Sequence, residues 1–134
     1  MPKHSYLEQL QQAPEASFHN LDPAKAIRMN AKTLFIPAPE DVAKAIAAIP
    51  HGETRTIVEL RQALAVSGNA ETACPAKTIK YWKWMAYAQE EVERSASSYR
   101  VPWWRVLKDG KPSRHMSGGI EGQVALLRGE GVEV

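Results

Sequence analysis

The sequence predicts an α+β chain, mostly helical, organised around a winged helix-turn-helix. Three observations carry that expectation. Thr56-Ile57-Val58-Glu59 has the spacing of a capping box at a helix start. Pro75 opens a second, lysine-bearing helix after a short link. Asp109-Gly110 is a turn signal between a strand-like stretch, Val101 to Leu107, and a short return strand beginning at Lys111. Two helices joined by a short link, the second of them basic, followed by a hairpin, make up the pattern.

The elements follow in chain order. Ser5 to Gln12 suits a short helix, and Asp22 with Pro23 suits the cap and first position of another. Pro14, Pro23, Pro37 and Pro39 break this region repeatedly. Residues 1–38 are therefore expected to be a peripheral N-terminal extension, and residues 39–134 the compact domain. Pro39 starts a helix in which Val42, Ile46 and Ile49 recur at helical spacing, ended by Pro50-His51-Gly52. The capped helix runs from Ile57 to about Val66, burying Leu60 and Leu64, and Ser67-Gly68-Asn69 breaks it. The helix from Pro75 passes through Ile79, Trp82 and Ala86 towards Glu93, with Tyr81, Trp82 and Trp84 partly inside. Lys77, Lys80 and Lys83 recur every three residues, in a loose row along one side. Ser117-Gly118-Gly119 reads as a flexible loop before a last helix, Ile120 to Arg128, with Ile120, Val124 and Leu127 on one face. Gly129 or Gly131 ends that helix, and Val132 to Val134 suits a final strand.

Composition narrows the classes. A chain of 134 residues, 44% hydrophobic and 24% charged, fits one folded domain and excludes wholesale disorder. A single cysteine, Cys74, excludes an internal disulfide and a cysteine-only metal site. His4, His19, His51 and His115 are scattered, so neither metal nor cofactor is expected. No run approaches the ~18 apolar residues that span a bilayer. The start, MPKHSYLEQLQQ, has no apolar signal core, so a cytoplasmic protein with no membrane partner is expected. The net charge is only +2, but Arg94, Arg100, Arg105, Lys108, Lys111 and Arg114 share a stretch whose one acid is Asp109. Such a stripe is either a phosphate-binding face or a solvated surface.

Several of these pieces occur together in an ordered set. Val101-Pro102-Trp103-Trp104-Arg105-Val106-Leu107, Asp109-Gly110-Lys111, Ser117-Gly118-Gly119, Gln123, Leu126-Leu127 and Glu130-Gly131 follow one another, with Ile49-Pro50-His51-Gly52, Thr56 and Leu60 upstream. Over roughly residues 40–134 this set resembles the DNA-binding domain of the O6-alkylguanine-DNA alkyltransferases. Ala73-Cys74-Pro75 is similar to a motif in a divergent bacterial branch of that superfamily.

The resemblance implies a winged helix-turn-helix of the alkyltransferase type whose partner is double-stranded DNA. In that family a Pro-Cys-His-Arg motif supplies the alkyl-accepting Cys and a proton-relaying His, which a Glu orients. Here Trp103 and Trp104 stand at the Cys and His positions, Arg105 at the Arg position, and Glu130 at the Glu position. Indole is neither nucleophile nor base, so alkyl transfer at the standard site is not expected. Alkyltransferase-like proteins also carry Trp at the Cys position; they bind O6-alkylguanine without repairing it and mark it for nucleotide excision repair proteins. The resemblance implies DNA contacts at Thr56, Lys77, Thr78, Lys80, Lys83 and Arg105. It implies a base pocket formed by Ile57, Trp103, Trp104, Met116, Ser117, Gly118 and Gly119. The chain departs from the family at Ile57, where a base-rotating Tyr is usual, at Lys77, the nearest match to an Arg that fills the base stack, and at an insertion from about Tyr87 to Tyr99.

Two other readings stay open at this point. Cys74, just before a helix-opening proline, could accept an alkyl group or act as a redox thiol, or could be a small buried residue. Tyr81, Trp82 and Trp84 could form an aromatic surface for a protein or small molecule.

Overall fold

A computed structural model describes residues 5–93 and 101–133. The basic residues Arg94 and Arg100, residues 94–99 of the expected insertion, His4 and Val134 lie outside them. Local signals set most of the helices. The Ser5 side chain accepts from the Glu8 N–H and starts α1 (Tyr6–Gln11). Asp22 does the same for Lys25 at the head of α2 (Pro23–Met29), which ends on Asn30 in the left-handed conformation. Pro39 is the first residue of α3 (Pro39–Ala47), where the Asp41 carboxylate accepts from the Ala38 N–H. The capping box closes as its spacing predicts at the start of α4 (Ile57–Ser67). The Thr56 hydroxyl accepts from the Glu59 N–H at 3.1 Å, and the Glu59 carboxylate accepts from the Thr56 N–H at 3.0 Å. Helix α5 (Pro75–Glu93) runs through its whole predicted length, and α6 (Gly119–Gly129) closes the described chain. None of these helices is long and apolar enough to cross a membrane.

The strands are short. β1 (Ser17–Asn20) pairs antiparallel with β2 (Thr33–Ile36), and β2 pairs in parallel with β4 (Thr72–Ala73) in the link between α4 and α5. The stretch 5–38, expected to be peripheral, is thus joined to the rest. Leu10 and Phe35 are buried in the core. The Glu91 carboxylate of α5 accepts from the first two N–H groups of α1, Tyr6 and Leu7, each at 3.1 Å. Tyr6 stacks on Tyr87, with ring centres 5.0 Å apart. The sequence shows none of this, because the partners are far apart along the chain.

Val101–Leu107 is not a strand throughout. Trp103–Arg105 form a 3-10 turn, and only β5 (Val106–Leu107) is extended, pairing in parallel with β3 (Arg55–Thr56). The carbonyls here find side-chain donors instead of a neighbouring strand. The Trp82 indole N–H donates to the Trp103 carbonyl at 2.9 Å, and the Gln123 carboxamide donates to those of Trp104 and Val106. The expected return strand is one bridge, Lys108 to Lys111. Its turn residues, Asp109 and Gly110, both have positive φ, the geometry of a two-residue hairpin. The buried face of α6 is also not the expected one: Gln123 and Leu127 are buried, while Ile120 is half exposed. Val132 and Glu133 do not form a strand.

One core unites these parts. Trp82, Tyr81 and Met85 of α5 pack with Val42 and Ile46 of α3, Leu60 and Leu64 of α4, and Trp103 and Val106. The apolar residues of α5 are therefore mostly spent inside.

Candidate nucleic-acid interface and base pocket

The face of α5 that carries Ala86, Gln89 and Glu90 looks across a cavity of about 530 Å³. Trp103 and Trp104 form one side of that cavity, and Ser117, Gly118, Gly122 and Leu126 form the other. Helical spacing explains the α5 contribution, since Trp82, Ala86, Gln89 and Glu90 recur at i, i+4, i+7 and i+8 on one face. The two indoles meet edge to face, with centres 6.0 Å apart. Trp103 is almost fully buried, and Trp104 is half buried.

The Trp104 indole is held from behind. Its N–H donates to Glu130 at 3.0 Å, and Arg105 donates to the same carboxylate through Nε and a terminal nitrogen, the latter at 2.8 Å. Arg105 also donates to the Ile49 carbonyl at 2.8 Å, and the Gly52 N–H donates to Glu130 at 3.2 Å. Hydrogen bonds from Arg105, ahead of those from Trp104 and Gly52, hold the Glu130 carboxyl down at about 2 against a burial cost that opposes them. Glu130 therefore stays ionised and fixes the wall of the cavity. The Ser117 hydroxyl donates to Glu90 on the opposite side. Gly118 sits at a positive φ of 79°, and a Cβ there would press on the Gly122 backbone at 3.2 Å, so the loop lies flat on α6.

Cations gather around His115, two residues before Ser117 of the cavity. Lys83 lies one helical turn before Tyr87, whose hydroxyl donates to the His115 carbonyl at 3.1 Å. The charge of Lys83 chiefly, with partial burial and the charges of Arg114 and Lys108, holds the His115 imidazole below its usual 6.5. One positively charged patch therefore joins α5, the Lys108–Lys111 hairpin and the loop leading to Ser117. Higher on α5, the Lys80 ammonium lies over the Trp84 ring at 4.5 Å, and that of Lys77 over Tyr81 at 5.9 Å. Both side chains are laid along the helix surface.

The expected site residues divide accordingly. Trp103, Trp104, Ser117 and Gly118 come together at the cavity. Ile57 and Met116 are core residues and do not line it, because their apolar side chains are taken up by packing. Gly119 is the first residue of α6 and does not line it either. Lys77, Lys80 and Lys83 lie along α5, and Thr56 is half buried at the head of α4. Thr78 is corrected: it is fully buried, and its hydroxyl donates to the Cys74 carbonyl at 2.7 Å, so it cannot touch DNA. Arg105 is corrected too, since its guanidinium is bound to Glu130 and Ile49 and only 14% of its side chain is exposed. Tyr81 and Trp82 are buried, which removes the aromatic surface considered for a protein or small-molecule partner. Cys74 is half buried, and at about 1.5 Å per residue it sits roughly 18 Å along α5 from the level of Ala86. A thiol there cannot reach a group held between the indoles.

Two residues, Gln89 and Glu90, were missed from sequence, and Gln123 was noted there without its buried role. Gln123 is fully buried and links the 3-10 turn to the Ser113 N–H, which donates to it at 3.0 Å. Its signal was a polar residue four positions before Leu127 on an apolar face. Gln89 and Glu90 line the cavity, and their signal was the one-face spacing from Trp82 and Ala86. Among the described residues no three His, Cys, Asp or Glu side chains are grouped to hold a metal ion. No family model, curated protein or solved structure matches this chain.

Proposed function

We propose that this chain is a winged helix-turn-helix protein that binds duplex DNA and holds an extruded, O6-alkylguanine-type base without removing its alkyl group. The observation that carries the reading is an indole-walled cavity whose lining residue Ser117 lies two positions after His115, the imidazole on which the charges of Lys83, Arg114 and Lys108 act. Cations there would meet phosphates and set the register on the duplex. The indoles would stack on a rotated base, an interaction worth ~1–3 kcal/mol. That gain offsets part of the few kcal/mol needed to unstack a base, a cost smallest for a damaged or mispaired one. Among the described residues no thiol or imidazole lines the cavity, so the protein would sense the lesion and leave repair to others. Nucleotide excision repair proteins are the partners that the family resemblance proposes.

The test is a titration against duplexes with and without one O6-methylguanine, at two salt concentrations. Tighter binding of the modified duplex, with no gain of mass on the protein, is expected. Equal affinities would remove lesion recognition, and no binding at low salt would remove the DNA partner. Replacing Lys83 and Lys108 with Ala should lower the salt slope by about one per lost phosphate contact.

A further inference from the structure

A second cavity, of about 450 Å³, lies between α1 and α3. No residue lines both it and the indole-walled cavity. Its floor is apolar: Leu7 and Leu10 come from α1, and Pro39 and Ala43 from α3. Each pair has helical spacing, i and i+3 or i and i+4, so each helix turns one face to the gap. Ala13, Ala38 and Ala43 are too small to fill the space, which leaves it open. Pro14 and Pro39 add wall without an N–H that needs a partner. The volume and the apolar lining are those of a small-molecule site, where a few polar groups choose the ligand.

Here the polar side chains are Gln11, Glu15 and Glu40. Among the described residues no Lys, Arg or His lines the cavity, and neither carboxylate has an ion-pair or hydrogen-bond partner. We propose that this cavity binds a small organic cation, an amine whose apolar body fills the floor and whose ammonium meets Glu15 and Glu40. The floor supplies affinity that is indifferent to charge, and the carboxylates set the sign. They attract an ammonium and repel an organic acid of the same shape. Helix α1 ends at this wall with no basic residue in its last turn, so its carbonyl end also favours a cation. The opposing positive end of α3 is answered by Asp41, whose carboxylate accepts from the Ala38 N–H at 2.9 Å. Glu15 and Glu40 are both exposed, so water screens them and the preference for a cation is modest in size.

The experiment titrates the full chain at low salt with hexylamine, 1-hexanol, hexanoate and methylamine, following the methyl NMR signals of Leu7, Leu10 and Ala43. Hexylamine should move those signals and bind about fivefold more tightly than 1-hexanol, the scale of two solvent-screened ion pairs. Hexanoate should bind more weakly than the alcohol, and methylamine, which lacks the apolar body, should not saturate. In the double variant Glu15→Gln with Glu40→Gln, which leaves the core untouched, the advantage of the amine should fall to about twofold or less. Ala43→Leu fills the cavity and should abolish hexylamine binding, with circular dichroism checking that the variant is folded; if it is not, the double variant decides. Equal binding of amine and alcohol by the unaltered chain would overturn the proposal. So would an advantage that survives the double variant, hexylamine binding that survives in folded Ala43→Leu, shifts confined to residues outside the cavity, or the absence of any saturable binding.

Discussion

Four N–H groups converge on the Glu130 carboxylate: Gly52, the Trp104 indole and two from Arg105. They favour the ionised form in the folded chain, and its pKa falls from 4.5 to about 2. A lowered carboxylate pKa gives stability that is fully present above the unfolded value and is lost as pH falls through the folded one. Acid unfolding should therefore steepen between about pH 4.5 and 2, and Glu130→Gln should be flatter in that window when followed by circular dichroism. Wild-type and variant curves of equal slope there would show that Glu130 does not carry the effect. The same substitution should loosen Trp104 and shift its fluorescence. His115 is the opposite kind of reporter. Lys83 is the largest cause of its lowered pKa, so Lys83→Ala should move the imidazole back up towards 6.5 in an NMR titration. An unmoved value would show that the cationic patch is not assembled as described.

Elements formed as expected wherever their signals were local. The Thr56–Glu59 box needs only four residues, and Pro75 needs only itself; both helices begin where those signals say. Thr56→Ala should cost about 1 kcal/mol in a urea titration, the usual worth of an N-cap, while Glu59 keeps the backbone N–H of residue 56 that chiefly lowers its pKa. A cost near zero would mean that packing, and not the cap, sets the start of α4. Elements whose partners are distant were not legible. β2 exists because β1 and β4 flank it, and no residue within Thr33–Ile36 announces that. The 3-10 turn at Trp103–Arg105 replaces the expected strand because Trp82 and Gln123 reach its carbonyls from two different helices. The candidate site divides in the same way. Trp103, Trp104 and the Ser117-Gly118 turn were named from sequence, because the family resemblance that their motifs carry implies a pocket there. Glu90 was not, because despite its one-face spacing from Trp82 and Ala86 an acid late in a helix reads as a solvated one until the opposite wall is known.

For the molecule as a whole, the central question is whether residues 5–38 are an appendage or part of the fold. The geometry makes them part of it. Phe35 is buried, and a Cβ placed on Gly68 at the end of α4 would lie 2.3 Å from the Phe35 ring. The ring thus occupies space that only a glycine leaves open. The Glu71 carboxylate accepts from the Lys32 N–H at 2.7 Å, and the Thr33 hydroxyl accepts from the Glu71 N–H at 2.9 Å, fixing β2 against the link to α5. That link also carries Thr72 and Ala73, which Arg61 of α4 holds through the Thr72 hydroxyl and the Ala73 carbonyl. The N-terminal segment therefore supports the turn that aims α5. Phe35→Ala should cost about 3–5 kcal/mol, the range for removing a buried aromatic. Gly68→Ala should also destabilise, although its backbone φ of −93° suits alanine, because the added methyl group meets the ring. Combining the two distinguishes a docked segment from a loose one. If Phe35 and Gly68 are in contact, the added methyl group enters the space the ring has left. The double variant should then be more stable than the sum of the single effects predicts, by about 1 kcal/mol or more. Strict additivity, measured by urea unfolding of all four proteins, would mean that β2 does not sit on α4 and that residues 5–38 hang free of the domain that follows.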